Sequence, residues 1–269
     1  MRRDAAPGPS ISLIAVTYNW PEALAAVLES VLRQRVLPAE VLIADDGSRD
    51  NTRQVVERYA AKLSVPLHHI WQEDRGFRAA AARNKALARV SGDRVVFIDG
   101  DVILHAEFVA SHQAFARPGE YIQGSRAPLD DRRTAALLVD PTQVPHWSQP
   151  GVRRLQNAIH APWLSGLIPS PRDGRSGTRS CNLGVWRTDA LHVNGFDEMY
   201  EGWGREDTDF CTRLLNAGVR RRDLKFAAVQ FHLKHPDLPR EAEPRHEARL
   251  ADVIRERRVS AERGVDQYS

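Results

Sequence analysis

Four strand-like apolar runs, with helix-patterned segments between them, most constrain the fold of this chain. The runs predict strands over residues 11–19, 41–48, 67–71 and 95–102. The apolar spacing of the intervening segments predicts helices over 21–33, 50–59 and 79–88. Strands that alternate with helices form a parallel sheet through right-handed crossovers. The sequence therefore predicts an α/β fold, with a Rossmann-like, mostly parallel central sheet and helices on both faces.

Polar side chains follow three of the predicted strands. They are Thr17, Tyr18 and Asn19 after the first strand, Asp45 and Asp46 after the second, and Asp99 and Asp101 after the fourth. Ligands of open parallel sheets bind at the carboxyl ends of the strands, so these groups predict a nucleotide pocket. The sequence contains no GxGxxG or Walker loop, and it supports neither a dinucleotide fingerprint nor a P-loop.

The two acid pairs in this set predict different contacts. Asp99 and Asp101 offer the carboxylate oxygens that Mg²⁺ and Mn²⁺ share with substrate phosphates, and Gly100 between them permits close approach of a ligand. A turn with solvated acids is the alternative. Asp45 and Asp46 could accept the imide hydrogen of uracil, whereas an Asx-turn with the following Gly-Ser is the alternative.

A second acid pair, Glu206 and Asp207, lies at the predicted start of a helix that Gly218 ends. The helix dipole favours ionised acids at this position, and an ionised carboxylate can act as a general base. Simple dipole matching is the alternative. Trp203 stands between two glycines just before this pair, where its ring could stack on a sugar.

A histidine at the end of the apolar run KFAAVQFH could be a third metal ligand beside Asp101. We favour His232, because it ends the predicted strand, over His235; a structural histidine is the alternative. Polar residues in and before the alanine-rich third helix could clamp a diphosphate, with a surface role as the alternative. They are Arg75, Arg78, Arg83 and Asn84.

Composition permits a globular enzyme of 269 residues, with 42% hydrophobic and 27% charged residues. The apolar runs fall far short of the roughly 20 residues that span a bilayer, and Asp4, Pro7 and Pro9 interrupt any signal-peptide core. We therefore expect a cytoplasmic protein. Two cysteines provide neither a disulfide framework nor a zinc site.

The net charge of +3 is concentrated in arginine clusters at 220–222 and 255–258. These clusters form a solvated surface or attract anionic lipid head groups on the inner face of a membrane, or a phosphorylated acceptor. Nucleic acid is not an expected partner, because no nucleic-acid module or stacking aromatics accompany the arginines.

The motifs VTYN, VLIADDGSRDNT, RGFRAAAARNKAL and FIDGDV resemble those of GT-A glycosyltransferases of family 2. The segment NGFDEMYEGWGREDTDFCTRLLNAG is similar to the carboxy-terminal part of β-4-galactosyltransferases and of bacterial chondroitin-type polymerases. The resemblance covers about residues 10–110 and 178–235. It implies a GT-A fold and inverting transfer of a sugar from a UDP-sugar to a hydroxyl of a saccharide or lipid-linked saccharide, in bacterial cell-surface polysaccharide or lipopolysaccharide synthesis.

The resemblance also implies residue roles. Asp45 and Asp46 would contact uracil, and Asp99 the ribose or the metal. Asp101 and His232 would hold Mn²⁺ or Mg²⁺, and Trp203 would line the sugars. Glu206 would bind the acceptor, and Asp207 would be the base. Arg205 departs from the pattern, since relatives often have glycine there.

We expect three portions: a nucleotide-sugar-binding portion over 10–115, an acceptor-binding and catalytic portion over 116–238, and a charged peripheral helix over 239–269. Residues 125–178 should be irregular, with a mobile loop at 169–177.

Two other functions remain open. A sugar-phosphate nucleotidyltransferase would also use a metal-binding acid pair but would release pyrophosphate; a catalytically silent membrane-surface protein would hydrolyse no donor.

Overall fold

The computed structural model describes residues 8–167, 170, 173–236 and 242–268. Within these residues the chain forms strands and helices in alternating order through its first hundred positions. The strands are β1 (Ile11–Thr17), β2 (Glu40–Asp45), β3 (Leu67–Trp71), β4 (Arg94–Asp99), β5 (Val102–Leu104), β6 (Glu120–Gly124), β7 (Ala127–Pro128), β8 (Asn182–Trp186), β9 (Arg220–Leu224) and β10 (Gln230–His232).

The helices flank these strands on both faces. The α-helices are α1 (Pro21–Leu32), α2 (Asp50–Ala60), α3 (Ala79–Leu87), α4 (Phe108–Ala114), α5 (Asp131–Val139), α6 (Arg187–His192), α7 (Glu206–Asn216) and α8 (Glu243–Glu256). Short 3-10 helices span Leu155–Asn157, Pro162–Leu167 and Val265–Tyr268. None of the helices in the described ranges is long and apolar enough to cross a membrane.

Seven of the described strands form the central sheet in the order β3-β2-β1-β4-β8-β6-β9. The first four are parallel to one another, and β8 runs antiparallel to both β4 and β6. Leu13 and Ala15 face the α1 and α2 side, whereas Ile14 faces the α3 and α7 side. Burial on both faces explains the continuous apolar runs in the sequence. The predicted mostly parallel sheet with helices on both faces is confirmed.

The run predicted as one strand over 95–102 is interrupted at Gly100. β4 ends at Asp99 in the central sheet, and β5 begins at Val102 in a second sheet of order β5-β10-β7. A Cβ atom on Gly100 would lie 2.6 Å from the carbonyl oxygen of Val16. The close approach of β1 therefore requires glycine here, and Asp99 and Asp101 lie on either side of the passage between the two sheets.

The second half is more ordered than its composition predicts. The predicted irregular region contains α5, whose Asp130 cap accepts the Arg133 N–H at 2.8 Å. The predicted strand over KFAAVQFH is too long, because Phe226 and Ala228 have positive φ and only Gln230–His232 is a strand. The loop predicted at 169–177 lies partly outside the described residues.

The predicted donor and acceptor portions share one sheet, since β6, β8 and β9 extend the sheet that β1–β4 begin. The C-terminal segment is also attached closely to this body. α8 packs against α7, and Arg249 pairs with Asp197 at 2.6 Å. Beyond α8, the Val265 N–H donates to the Asn194 carbonyl at 3.1 Å.

Candidate active site at the strand ends

The carboxyl ends of β1, β2 and β4 place the predicted donor residues at one edge of the sheet. Thr17, Asp45 and Asp99 end these adjacent parallel strands: Thr17 is in register with Asp45, and Asp99 lies opposite Val16. The loops that follow them are joined, since the Asp46 N–H donates to the Thr17 carbonyl and the Asn19 N–H donates to Ser48 Oγ. Tyr18 extends outward and donates its hydroxyl hydrogen to Asp74 at 3.0 Å. The strand-end residues predicted from sequence thus come together.

Asp45 and Asp46 differ in what their carboxylates bind. Asp45 is fully buried and accepts hydrogen bonds from the Ser48 N–H at 2.7 Å and from His69 Nε2 at 2.7 Å. The Ser48 contact is the Asx-turn that the sequence offered as the alternative, and the uracil contact of Asp45 stays a prediction. Asp46 accepts from Gln72 and from the Arg78 N–H, and burial raises the pKa of its carboxyl.

Asp101, His232 and His235 form a compact group of candidate metal ligands. Asp101 Oδ2 lies 3.6 Å from His232 Nε2 and 3.3 Å from His235 Nε2, and one ligand atom from each residue falls within 4.8 Å of the others. The sequence left a choice between the two histidines, but the structure brings both to Asp101. The sequence signal for this pairing is that the two histidines are only three positions apart. A short turn after a strand can bring a second histidine back to the same ion.

The protonation of this group suits a cation. Burial, followed by the nearby Arg126, lowers the pKa of His232 to about 3, so its imidazole is neutral and can donate a lone pair. Burial and the charge of Asp99 raise the pKa of Asp101. The Asp101 Oδ1 atom is buried without a hydrogen-bond partner in the described part of the chain. A divalent ion bound here would satisfy that oxygen and stabilise the charged carboxylate, so the residues fit a metal.

Arg83 links the strand-end acids to the acids of α7. Its side chain is 5% exposed, and its two terminal nitrogens lie 3.6 Å from Asp99 Oδ1 and 3.1 Å from Glu206 Oε1. The predicted diphosphate clamp is therefore occupied by two carboxylates. The sequence did not predict this bridge, because Asp99 and Glu206 are separated by more than a hundred positions.

The other predicted diphosphate residues lie elsewhere. Asn84 is fully buried and fastens α3 to the loop before α7 by donating to the Phe196 carbonyl at 2.7 Å and to Glu198 at 3.0 Å. Arg75 is exposed and pairs with Glu73. Arg78 donates to the Glu73 carbonyl. In this conformation Asn84 is a packing residue, and Arg75 stays on the surface.

Asp207 combines burial with an oxygen held toward β8. Its Oδ2 accepts the Ser180 N–H at 3.3 Å, and its Oδ1 accepts the Thr208 N–H at 2.6 Å. Burial and the charge of Glu206 raise the pKa of Asp207, despite these two hydrogen bonds and the charge of Arg83. The expected helix start is present, but burial outweighs the dipole in setting this acidity. A carboxylate of raised pKa is a stronger base than an exposed one.

The segment that carries Trp203 has an unusual backbone. Gly202, Gly204 and Arg205 all have positive φ, of 92°, 104° and 75°. The Gly202 N–H donates to the Phe77 carbonyl at 3.0 Å. Arg205 pairs with Glu243 and Glu247 of α8. The Trp203 segment is therefore attached to the donor half on one side and to α8 on the other.

This fold and the arrangement at its strand ends define the class of GT-A glycosyltransferases. The chain superposes on S. aureus TarS 1-349, solved in complex with UDP, with a TM-score of 0.62 at 18% identity, covering 96% of this chain and 68% of that one. A likeness at this identity establishes the fold.

The sequence comparison is more specific. Residues 12–164 match glycosyl transferase family 2, and residues 169–236 match the N-terminal domain of galactosyltransferase. Because the first match covers more than half of its length, the chain belongs to glycosyl transferase family 2.

Two relatives illustrate the range of this family. The chain is 28% identical to validoxylamine A glucosyltransferase of Streptomyces hygroscopicus subsp. limoneus, over 78% of this chain and 49% of the relative. It is 25% identical to chondroitin synthase of Escherichia coli, over 84% of this chain and 35% of the relative. The expected resemblance to family 2 and to chondroitin-type enzymes is confirmed, and the chain spans half or less of the length of these two relatives.

Proposed function

We propose that this protein is an inverting, metal-dependent glycosyltransferase that moves a sugar from a UDP-sugar to a hydroxyl of a saccharide acceptor. The observation that carries the proposal is the Arg83 bridge between Asp99 and Glu206. It brings the strand-end acids, suited to a nucleotide, within one side chain of the α7 acids, suited to an acceptor. Membership of glycosyl transferase family 2 supports the same reaction.

The metal in this proposal is Mn²⁺ rather than Mg²⁺. Asp101, His232 and His235 offer one carboxylate and two imidazoles, whereas Mg²⁺ favours oxygen ligands almost exclusively. When bound, the metal neutralises the charge that develops on the leaving diphosphate. Uracil as the nucleobase of the donor is supported by the UDP bound to TarS, a protein of the same fold.

Asp207 is the proposed base. An acceptor hydroxyl must lose its proton as it attacks the anomeric carbon, and the raised pKa of Asp207 favours proton uptake near neutral pH. Attack from the face opposite the departing UDP inverts the configuration at that carbon. Glu206, held by Arg83, is oriented to accept a hydrogen bond from the acceptor, and Trp203 offers a ring face to a sugar.

The experiment measures UDP release by the purified chain from a panel of UDP-sugars, with Mn²⁺ and saccharide acceptors. Asp207→Asn preserves shape and removes basicity, so we expect kcat to fall about 10²–10⁴-fold while UDP affinity stays near wild type. Glu206→Gln should mainly raise the acceptor KM. Retention of more than a tenth of wild-type kcat by Asp207→Asn would exclude this base. A second assay supplies UTP and a sugar 1-phosphate in place of the UDP-sugar; formation of a UDP-sugar with release of pyrophosphate there, without UDP release in the first assay, would favour the nucleotidyltransferase.

The cellular setting is also a proposal. We place the enzyme in bacterial cell-surface polysaccharide or lipopolysaccharide synthesis, at the inner face of the cytoplasmic membrane, where lipid-linked acceptors are available. Many of the arginines that suggested this contact are paired, since Arg220 and Arg222 both bind Glu120. We expect weak, salt-sensitive association with anionic vesicles. Equal partitioning onto neutral vesicles at low salt would contradict it.

A further inference from the structure

A cleft of about 400 Å³ lies where β6 and β9 end, and it plays no part in the site described above. Its volume falls within the roughly 300–1,000 Å³ of typical small-molecule sites. The charged residues that line it are Arg126, Arg179, Arg221, Asp223 and Lys225. Four cations and one carboxylate therefore surround a cavity large enough for a sugar.

The positive charge of this cleft is only partly neutralised. Arg221 pairs with Asp223 at 2.8 Å and donates to the Ser176 carbonyl at 2.7 Å, so these two side chains offset each other. In the part of the chain that the structure describes, neither the Arg179 guanidinium nor the Lys225 ammonium has a hydrogen-bond or ion-pair partner. Arg126 has only the Cys181 sulfur, at 3.9 Å. Three cations are thus available to a ligand.

The order of strands places this cleft on the acceptor side of the site. β8 is antiparallel to β4 and to β6, and β6 is parallel to β9, so β4, β6 and β9 end at the same edge of the sheet. β1 and β2, whose ends carry the proposed nucleotide residues, lie on the opposite side of β4. Asp99 and Asp101 therefore separate the nucleotide strands from the cleft.

The proposed base is adjacent to the same cleft. Asp207 accepts the Ser180 N–H, and Ser180 directly precedes Cys181, a lining residue. Arg126, another lining residue, also interacts electrostatically with Asp99 and Asp101. A saccharide with its attacking hydroxyl at Asp207 would extend into the cleft. A neutral sugar there would leave the three available cations without a counter-charge. Arginine and lysine bind phosphate and carboxylate through charge-assisted hydrogen bonds.

We propose that the cleft binds an anionic group of the acceptor, a phosphate or a carboxylate, so that the enzyme selects acidic saccharides. This inference rests on the proposed function and names its acceptor class. Arg179 and Lys225 are the specificity-determining residues, because their charges are the least compensated. Arg126, closer to the metal ligands, connects the cleft with the reacting end of the site.

The test measures binding of three probes to the intact protein with Mn²⁺ and saturating UDP: glucose 6-phosphate, glucuronate and glucose. We expect both anions to bind with UDP present and glucose to bind at least tenfold more weakly. The stronger of the two anions identifies phosphate or carboxylate as the ligand. Arg179→Gln and Lys225→Gln should each weaken anion binding roughly tenfold. Arg220→Gln is the matched control, since Arg220 begins β9, does not line the cleft and pairs with Glu120.

Three results would overturn the inference: equal affinity for glucose and the anions, unchanged anion affinity in both cleft variants, or displacement of the anions by UDP, which would assign the cleft to the donor diphosphate. The outcome is separable from that of the proposed function. UDP release with neutral acceptors and no anion selectivity would reject the cleft alone. Anion-selective binding without transfer from any UDP-sugar would reject the proposed reaction.

Discussion

Four acids that look alike in the sequence have different environments in the structure. Asp45 forms a turn, Asp101 faces two histidines, Glu206 pairs with Arg83, and Asp207 is buried beside Glu206. Sequence position predicted that these residues would gather, because strand ends and a helix start are recognisable. It did not predict which oxygens would remain available, because His69 and Arg83 reach them only through the tertiary fold.

The raised pKa of Asp207 leads to a prediction about pH. If Asp207 is the base, as proposed, its carboxylate must be unprotonated, so kcat should fall as pH decreases through this raised pKa, well above the ordinary aspartate value of about 3.9. Glu206→Gln removes a neighbouring negative charge and should lower that pKa, which moves the acid limb of the kcat profile to lower pH. Glu262→Gln, at an exposed and distant position, should leave the limb unchanged. An unmoved limb in Glu206→Gln would mean that another group titrates.

At the scale of elements, α7 performs two tasks with successive acids. Its first two residues face the site, whereas Asp209 is fully buried and pairs with Arg213 at 2.6 Å. Arg213 also donates to the carbonyls of Val193 and Gly195. The apolar pattern and Gly218 predicted this helix correctly. The sequence did not predict β6 and β9, because the arginines of β9 hide any apolar strand pattern. They are tolerated at the edge of the sheet, where Glu120 of β6 neutralises two of them.

Asp209→Ala should therefore destabilise the protein without removing a catalytic group. It leaves the Arg213 guanidinium buried without its counter-charge, which typically costs about 3–5 kcal/mol. We expect a large drop in melting temperature, with kcat per folded molecule close to wild type. Asp207→Asn is the comparison, since it should show the opposite combination. A wild-type melting temperature for Asp209→Ala would mean that the pair contributes little to folding.

At the scale of the whole molecule, the predicted donor and acceptor portions contribute strands to the same two sheets. The central sheet runs through both, and the small sheet joins β5 from the first portion to β10 from the second. Periodicity along the chain predicted the parallel half. It could not predict that β8 would return antiparallel between β4 and β6, because pairing between strands so far apart in the sequence depends on packing rather than on local pattern.

Metal binding should stabilise this body measurably. Mn²⁺ at 100 times its Kd adds about 2.7 kcal/mol to the free energy of unfolding if it binds only the folded state. Thermal melts should show this increase for the wild type, with a reduced increase for His232→Ala and for His235→Ala. His68→Ala, at a half-exposed position near Glu40, is the control. An increase in melting temperature that survives both ligand variants would exclude this metal site.

The interruption at Gly100 has a consequence for exchanging parts between related enzymes. The chain divides by family match near residue 165, and Asp101 lies in the first match while His232 and His235 lie in the second. A chimera joined at that boundary would take one proposed metal ligand from one parent and two from the other. It would also pair β4 of one parent with β8 of the other. Exchange of the first matched segment alone should therefore not transfer donor preference. We expect active chimeras only from parents whose strands in the small sheet pack together compatibly.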